Sequence, residues 1–254
     1  MIVIVLPSSG YDPTESAIPW KALKDSGIDV RFATPNGHPA YADERLVEGG
    51  FSVLSSLLMT RNGALEAYRE MIADECFLSP NRYNGIDHGS ISGVFVPGGH
   101  ASGMKTMLES RSAQELFANA ILAGKPCAAV CHGVLLAARA KDPATGLSVL
   151  HRRHTTAVTS LFELSAWAAT WPWLGNYYRT YNRTVQHEVV AALAQRNQFH
   201  VGPKMPRRDA LGSIDRGFTV IDQNYISGRW PGDCFRLAEQ FRDLVLEFDE
   251  KKSV

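Results

Sequence analysis

The sequence predicts an α/β fold, a mostly parallel sheet covered by helices on both faces. Two observations carry this. Short apolar runs rich in β-branched residues alternate with longer amphipathic stretches, and strands buried on both faces read as continuous apolar runs. Breaks built from glycine and proline, such as Pro35-Asn36-Gly37, Gly98-Gly99 and Gly124-Lys125-Pro126, fall where the pattern changes.

In chain order, Ile2 to Leu6 is the first strand. A helix follows from about Thr14 to Ser26, with Gly27 just past its end. Asp29 to Ala33 is a second strand. Residues from about Phe51 to Phe77 read as helical, with Leu57, Leu58, Leu65, Tyr68, Met71 and Ile72 at loosely helical spacing. Gly93 to Pro97 is a third strand, Ser110 to Ala123 a helix, and Cys127 to Val130 a fourth strand of small and β-branched residues. That strand runs directly into Cys131-His132-Gly133 and a helix reaching about Ala140. Trp167, Trp171, Trp173, Tyr177, Tyr178 and Tyr181 crowd the stretch from Ala166 to Tyr181, where Pro172 and Gly175 favour two short helical pieces. Core packing of a helical pair is one reading of these aromatics, and a cover over an active site is the other. Phe218–Ile221 and Tyr225–Ser227 flank Asp222-Gln223-Asn224 as a hairpin. A last helix from about Asp233 to Phe248 carries Phe235, Leu237, Ala238, Phe241, Leu244 and Val245.

Composition narrows the function classes. The 254 residues are 45% hydrophobic, enough for a sizeable core in one domain. Lys+Arg and Asp+Glu both number 26, so the basic excess of a nucleic-acid binder is missing. The first apolar run has no basic region before it and is too short to span a bilayer, so neither a signal peptide nor a membrane segment is expected. Cys76, Cys127, Cys131 and Cys234 are scattered, without disulfide density or paired metal-ligand spacing. A cytoplasmic protein with no metal and no cofactor is expected.

Chemistry concentrates around Cys131. It ends a strand and opens a helix, with Ala129 two positions before and Gly133 two after, the pattern of a nucleophile elbow. A helix N-terminus beneath the sulfur is expected to lower the thiol pKa. His132 is the adjacent candidate base, in need of a third group to orient it. Gly98-Gly99-His100 closes the neighbouring strand, where backbone N–H groups of Gly99 and His132 can form an oxyanion hole. Glu15 follows the first strand at the same sheet edge. A carboxylate in a first helical turn interacts with the helix dipole, and this reading stands beside a catalytic one.

Ala129-Val130-Cys131-His132-Gly133, the upstream Val94-Phe95-Val96-Pro97-Gly98-Gly99-His100 and Glu15 together resemble the ThiJ/PfpI superfamily. More narrowly they are similar to its branch of heat-shock chaperones and glutathione-independent glyoxalases (glyoxalase III). The resemblance implies a flavodoxin-like three-layer sandwich with inserted helices and a short antiparallel hairpin. One domain would cover residues 1–254, with an aromatic-rich helical insertion at about 164–200, and pair as a homodimer. It also implies an acid about thirty positions after the histidine; Thr155 to Glu163 resembles the strand and turn that bear it, making Glu163 the third triad member. Glu15 matches a glutamate placed against the cysteine sulfur, protonated and hydrogen-bonded to the thiolate. Ala101-Ser102-Gly103-Met104 and the aromatic segment depart from the branch's pattern, which bears on substrate identity.

The implied activity is cofactor-independent conversion of a 2-oxoaldehyde such as methylglyoxal to a 2-hydroxy acid (D-lactate). The implied partner is therefore a small carbonyl substrate, not nucleic acid or membrane. A cysteine peptidase or amidase on the same triad is one alternative, and a chaperone or redox sensor without turnover is another. His187-Glu188 superficially suggests a glutamine amidotransferase pair, made unnecessary by His132. Trp167, Trp171 and Tyr178 are the candidate cover residues, expected to exclude large substrates from Cys131.

Overall fold

The computed structural model describes residues 1–51, 54–205 and 207–252, with the backbone alone at 56 and 57. The first half of the chain forms β1 (Ile2–Val5), β2 (Ser9–Tyr11), α1 (Pro13–Asp25), β3 (Val30–Thr34), β4 (Tyr41–Ala42), α2 (Glu44–Val47), α3 (Ser55–Leu58), α4 (Asn62–Ala73), α5 (Glu75–Leu78) and β5 (Asn81–Arg82). It continues with β6 (Gly93–Val96), α6 (Lys105–Leu108), α7 (Arg111–Leu122), β7 (Cys127–Val130) and α8 (Gly133–Arg139). The last third adds α9 (Ser160–Leu174), α10 (Val185–Ala192), β8 (Thr219–Asp222), β9 (Tyr225–Gly228) and α11 (Cys234–Lys252).

The main sheet has the order β5-β3-β1-β6-β7-β9-β8. All its pairings are parallel except β8 with β9, the hairpin at one edge. Every residue of β1, β6, β7 and β9 is buried, as expected of strands with a neighbour on each side and helices over the sheet. Helix α1 packs against α4 and α11 on one side, while α8 packs against α7 and α10 on the other. The chain winds outward from β1 through β3 to β5, then returns beside β1 and winds the other way through β6, β7 and β9. Such a reversal leaves a crevice beyond the carboxyl ends of β1, β6 and β7. A separate parallel pair, β2 with β4, rims that crevice. These two short strands bring Tyr11 and Asp12 toward the end of β6, where Asp12 N–H donates to Gly98 O at 2.8 Å.

Several local expectations change. The helix read over 51–77 is three helices, α3, α4 and α5, with 52 and 53 and the Leu57 side chain outside the described residues. Asp74 starts α5 by accepting from Cys76 N–H at 2.8 Å, a cap that ends α4 instead of letting it run on. The buried stripe of α4 is Ala64, Ala67 and Met71. Thr155 to Val158 is not a strand of the main sheet: Thr155 makes one parallel bridge with Phe199, and Thr156 N–H donates to Ser227 Oγ of β9 at 2.9 Å. Helix α9 begins at Ser160 and passes through Pro172 before stopping at Gly175, whose φ is 55°. Proline is tolerated there because it removes one hydrogen bond in the final turn, and the following stretch to Thr184 is irregular.

Beyond β9 the chain is fixed by a buried ion pair. Arg229 grips Asp233 in two-point fashion, Nε to Oδ2 at 2.9 Å and Nη2 to Oδ1 at 3.0 Å, with both side chains fully buried. Phe218 N–H and Pro203 O take up further hydrogen-bonding capacity, and the guanidinium lies against the rings of Phe162 and Phe218. Such a pair is tolerable in the interior because its lone pairs and protons are satisfied. Among the described residues no helix is long and apolar enough to cross a membrane.

Candidate active site

Cys131 sits where β7 becomes α8, with φ of 55°, a left-handed conformation unusual for a residue with a Cβ. The turn is held by Cys131 N–H donating to Gly228 O at 3.1 Å. Its tightness explains two glycines. A Cβ on Gly133 would lie 2.5 Å from Val96 O, and one on Gly98 would lie 2.7 Å from Glu15 Oε2 and 2.8 Å from both Cys131 Cβ and His132 N. The sharp turn thus lifts a buried sulfur to the crevice, as the elbow pattern predicts.

His132 follows directly, and its Nδ1 lies 3.6 Å from Cys131 Sγ. Its other nitrogen, Nε2, is 3.3 Å from Thr180 Oγ1. The Thr180 hydroxyl donates its single proton to His100 O at 2.6 Å, so toward His132 it can only accept. The imidazole therefore carries its proton on Nε2 and turns the Nδ1 lone pair to the thiol. Burial, reinforced by His100 and Arg139, lowers the His132 pKa well below the ordinary value, which keeps the ring neutral and able to accept a proton. His100 packs edge-on against His132 with centroids 4.8 Å apart, and burial lowers its own pKa to about 4.

Glu163 is not the group that orients this ring. It stands in the first turn of α9, fully buried, where Oε2 accepts Val185 N–H at the start of α10 at 2.9 Å and Oε1 lies 3.8 Å from Arg179 Nε. The acid ties two helices together, and a threonine from the irregular segment between them reaches His132 instead. Burial raises the Glu163 pKa to about 7. His187 and Glu188 lie on α10, where Glu188 pairs with Arg139 at 2.6 Å and His187 Nδ1 meets Thr184 Oγ1 at 3.2 Å.

Glu15 does face the nucleophile. Its Oε2 accepts Gly98 N–H at 2.8 Å, and the carboxyl interacts with the Cys131 thiol. Burial first, and then the nearby Asp12 charge, raise its pKa well above the carboxylate range. The Cys131 thiol is also raised, by burial and then by Glu15 and Asp12, with His132 N–H acting in the opposite direction. The helix N-terminus of the sequence argument is thus outweighed by desolvation in the resting site. With Glu15 protonated, the neighbouring negative charge disappears, so one proton shared between carboxyl and sulfur is the economical state of the pair. Gly98 N–H is committed to Glu15, while His132 N–H is the backbone donor to the sulfur.

Asp12 was legible only as a loop residue before a helix. It caps α1 by accepting Thr14 N–H at 2.7 Å and Glu15 N–H at 3.1 Å, and so fixes the turn that carries Glu15. Burial raises its pKa to about 6. The Asp-Pro pair ahead of an apolar run was the available signal for this cap.

Above Cys131 lies a cavity of about 500 Å³. Leu46, Leu54, Leu58, Val158, Phe162 and Ala166 supply apolar wall, Tyr178 and Trp230 aromatic wall, and His100, Asp12 and Arg208 the polar edge. Arg208 stacks over the Trp230 ring at 4.9 Å. Of the three candidate cover residues, Tyr178 lines this cavity. Trp171 is 56% exposed and Trp167 bonds Asn176 Oδ1 at 3.1 Å, both outside the lining. Helical spacing is the reason: Phe162, Ser165, Ala166 and Ala169 form one face of α9, and Trp171 falls about half a turn away from Phe162. The ligand atoms of His100, Cys131 and His132 lie within 4.8 Å of one another, looser than the roughly 3.4–3.8 Å separation that zinc bond lengths impose.

A thiol on a strained elbow, an adjacent imidazole and a buried carboxyl define a cysteine-centred site on a doubly wound sheet. The family model described as ThiJ/PfpI family-like matches residues 6–203, and the chain belongs to that family. An uncharacterized protein of Schizosaccharomyces pombe is 33% identical over 120 residues, covering 46% of this chain and 44% of that one. A glutathione-independent glyoxalase of the same yeast is 27% identical over 166 residues, covering 61% and 62%. The chain thus spans less than two thirds of the length of these curated relatives. Glyoxalase III of Candida albicans shares the fold with a TM-score of 0.67 at 17% identity, over 96% of this chain and 97% of that one. The Francisella tularensis rapid encystment protein does so with a TM-score of 0.69 at 12% identity, over 96% and 98%.

Proposed function

We propose that the protein is a cofactor-independent glyoxalase, converting 2-oxoaldehydes to 2-hydroxy acids at Cys131. The observation that carries this reading is the His132 tautomer: its Nδ1 lone pair faces Cys131 Sγ at 3.6 Å while Thr180 holds the other nitrogen. Membership of a family that includes glyoxalase III enzymes supports it, as does the glutathione-independent glyoxalase among the relatives.

His132 Nδ1 takes the thiol proton as sulfur adds to the aldehyde carbon, giving a hemithioacetal whose oxygen is met by the Gly99 and His132 N–H groups. The hydrogen on that carbon leaves as a proton and a proton is delivered to the adjacent former ketone carbon. The electron pair moves with the isomerisation, and the product is a thioester of the 2-hydroxy acid. No external oxidant or reductant is required. His132 and protonated Glu15 are the groups placed to exchange these protons. Water then cleaves the thioester, releasing the acid and restoring Cys131. A mostly apolar lining suits this course, because it limits how much water is held around the carbanion-like stage.

The test is a panel of 2-oxoaldehydes and small amides with the wild type and Cys131→Ser. Acid formation from the oxoaldehydes, lost in the variant, supports the reading. Amide cleavage without oxoaldehyde turnover would replace it with a hydrolase.

A further inference from the structure

The cavity over Cys131 is far larger than the substrate usually invoked for such chemistry. Methylglyoxal has five heavy atoms and fills on the order of 100 Å³, taking roughly 30 Å³ per water-sized volume. The space available is about 500 Å³, and most of its wall is carbon. Leu46 and Val158 are buried, Phe162 and Trp230 meet edge to face with centroids 6.0 Å apart, and Tyr178 closes one side. A three-carbon aldehyde bonded to Cys131 would leave this apolar surface unfilled by ligand.

We infer that the site takes carbonyl compounds bearing an extended apolar group, an alkyl chain of about six carbons or an aryl ring, in preference to methylglyoxal. The inference rests on the glyoxalase reading for its reactive end and on the cavity for the rest of the molecule. It also reverses the expectation that the aromatic segment excludes large substrates. That segment sends Tyr178 to the wall while Trp171 faces outward, so one ring of the cluster bounds the apolar chamber and the others lie outside its lining. The polar groups sit at its edge: Asp12 caps α1 and His100 lies beside His132. An apolar tail can therefore lie along Leu46, Val158 and Phe162, whose side chains carry no polar atom to desolvate.

The experiment measures kcat/KM for methyl-, propyl-, hexyl- and phenylglyoxal with the wild type, Ala166→Phe and Ala169→Phe. Both alanines line the cavity from α9, and Ala169 is solvent-exposed, so a larger side chain there does not overfill the core. Each buried methylene is expected to raise kcat/KM by roughly three- to fourfold until the chamber is full. At least one phenylalanine variant should lower the hexylglyoxal-to-methylglyoxal ratio of kcat/KM at least about tenfold, with an unchanged melting temperature reporting an intact fold. A flat or falling series in the wild type overturns the inference while leaving the glyoxalase reading intact, and so does a gradient that survives both substitutions. If no oxoaldehyde is turned over, the glyoxalase reading fails and the chamber is tested separately by protection of Cys131 from alkylation. 2-Octanone protecting at least tenfold better than acetone, and losing that advantage in the variants, supports an apolar-ligand chamber; equal protection overturns it.

Discussion

Replacing Glu163 with glutamine separates two roles that predict opposite outcomes. As the acid of a triad, Glu163 would hold His132 in its working tautomer, and neutralising it would cost on the order of 10⁴ in kcat. As a tie between α9 and α10, accepting Val185 N–H at 2.9 Å, it can be replaced by an amide oxygen with little effect on turnover. Stability reports the second role. Burial raises the Glu163 pKa from the ordinary 4.5 to about 7, so between those values the folded protein holds a proton that the unfolded chain has lost. Stability then falls as pH rises through that window, and the full penalty is present above it. At about 1.36 kcal/mol per pH unit, the penalty is at most about 3 kcal/mol. Glu163→Gln should match the wild type near pH 4, where both side chains are neutral, and exceed it by up to roughly 3 kcal/mol near pH 8. Paired urea titrations across pH 4–8 read this difference directly, since every other titrating group is common to both proteins. A variant equally or less stable at pH 8, or one with kcat reduced a thousandfold, would refute the argument and return Glu163 to the triad.

Thr180→Val removes the acceptor for His132 Nε2–H; we expect kcat to fall about 10–100-fold with KM little changed and Thr180→Ser to restore it, by analogy with outer-shell histidine partners. Equal loss in Val and Ser variants would make Thr180 only a packing residue. Because burial lowers the pKa of both His100 and His132, a protonation limb of kcat/KM near 6 should belong to Asp12 and vanish in Asp12→Asn; a limb near 6.5 that survives that substitution would contradict the neutral-imidazole site. Gly98→Ala places a Cβ 2.7–2.8 Å from Glu15, Cys131 and His132, and is expected to abolish turnover or folding, read by activity and thermal melting together. Asp233→Ala strands the Arg229 charge in the interior and should cost about 3–5 kcal/mol in urea unfolding; a loss under 1 kcal/mol would show that the guanidinium relaxes to solvent.

The part of the site written in contiguous residues was readable, and the part assembled across the chain was not. Cys131, His132, Gly98 and Gly99 declare themselves because an elbow needs small neighbours at fixed offsets, and Glu15 because it follows the first strand at the same sheet edge. Thr180 gave no such signal, since a hydroxyl in an irregular segment finds His132 only through the packing of α9 and α10. Glu163 was assigned by resemblance, and the same packing directs it to Val185. The long apolar strands were evident from composition. The strands β2, β4 and β5 were not, because two or three residues are too few to show a period. The orientation of the aromatic cluster depended on where α9 starts. Once Ser160 begins the helix, Phe162 and Ala166 face the cavity and Trp171 cannot.

The family pattern matches residues 6–203, yet the strand bordering the nucleophile's own strand is β9, at Tyr225–Gly228. Cys131 N–H is tied to Gly228 O, and α11 lies against α1, the helix that carries Glu15. The reactive turn is thus a keystone resting on masonry laid after the matched segment. A nascent chain that has emerged only as far as the matched segment has β7 as an open sheet edge, and its cysteine has no partner to hold the left-handed turn. Reactivity should therefore await the docking of the β8–β9 hairpin and α11. Such timing would protect a growing polypeptide from presenting a nucleophilic thiol before the chamber around it exists.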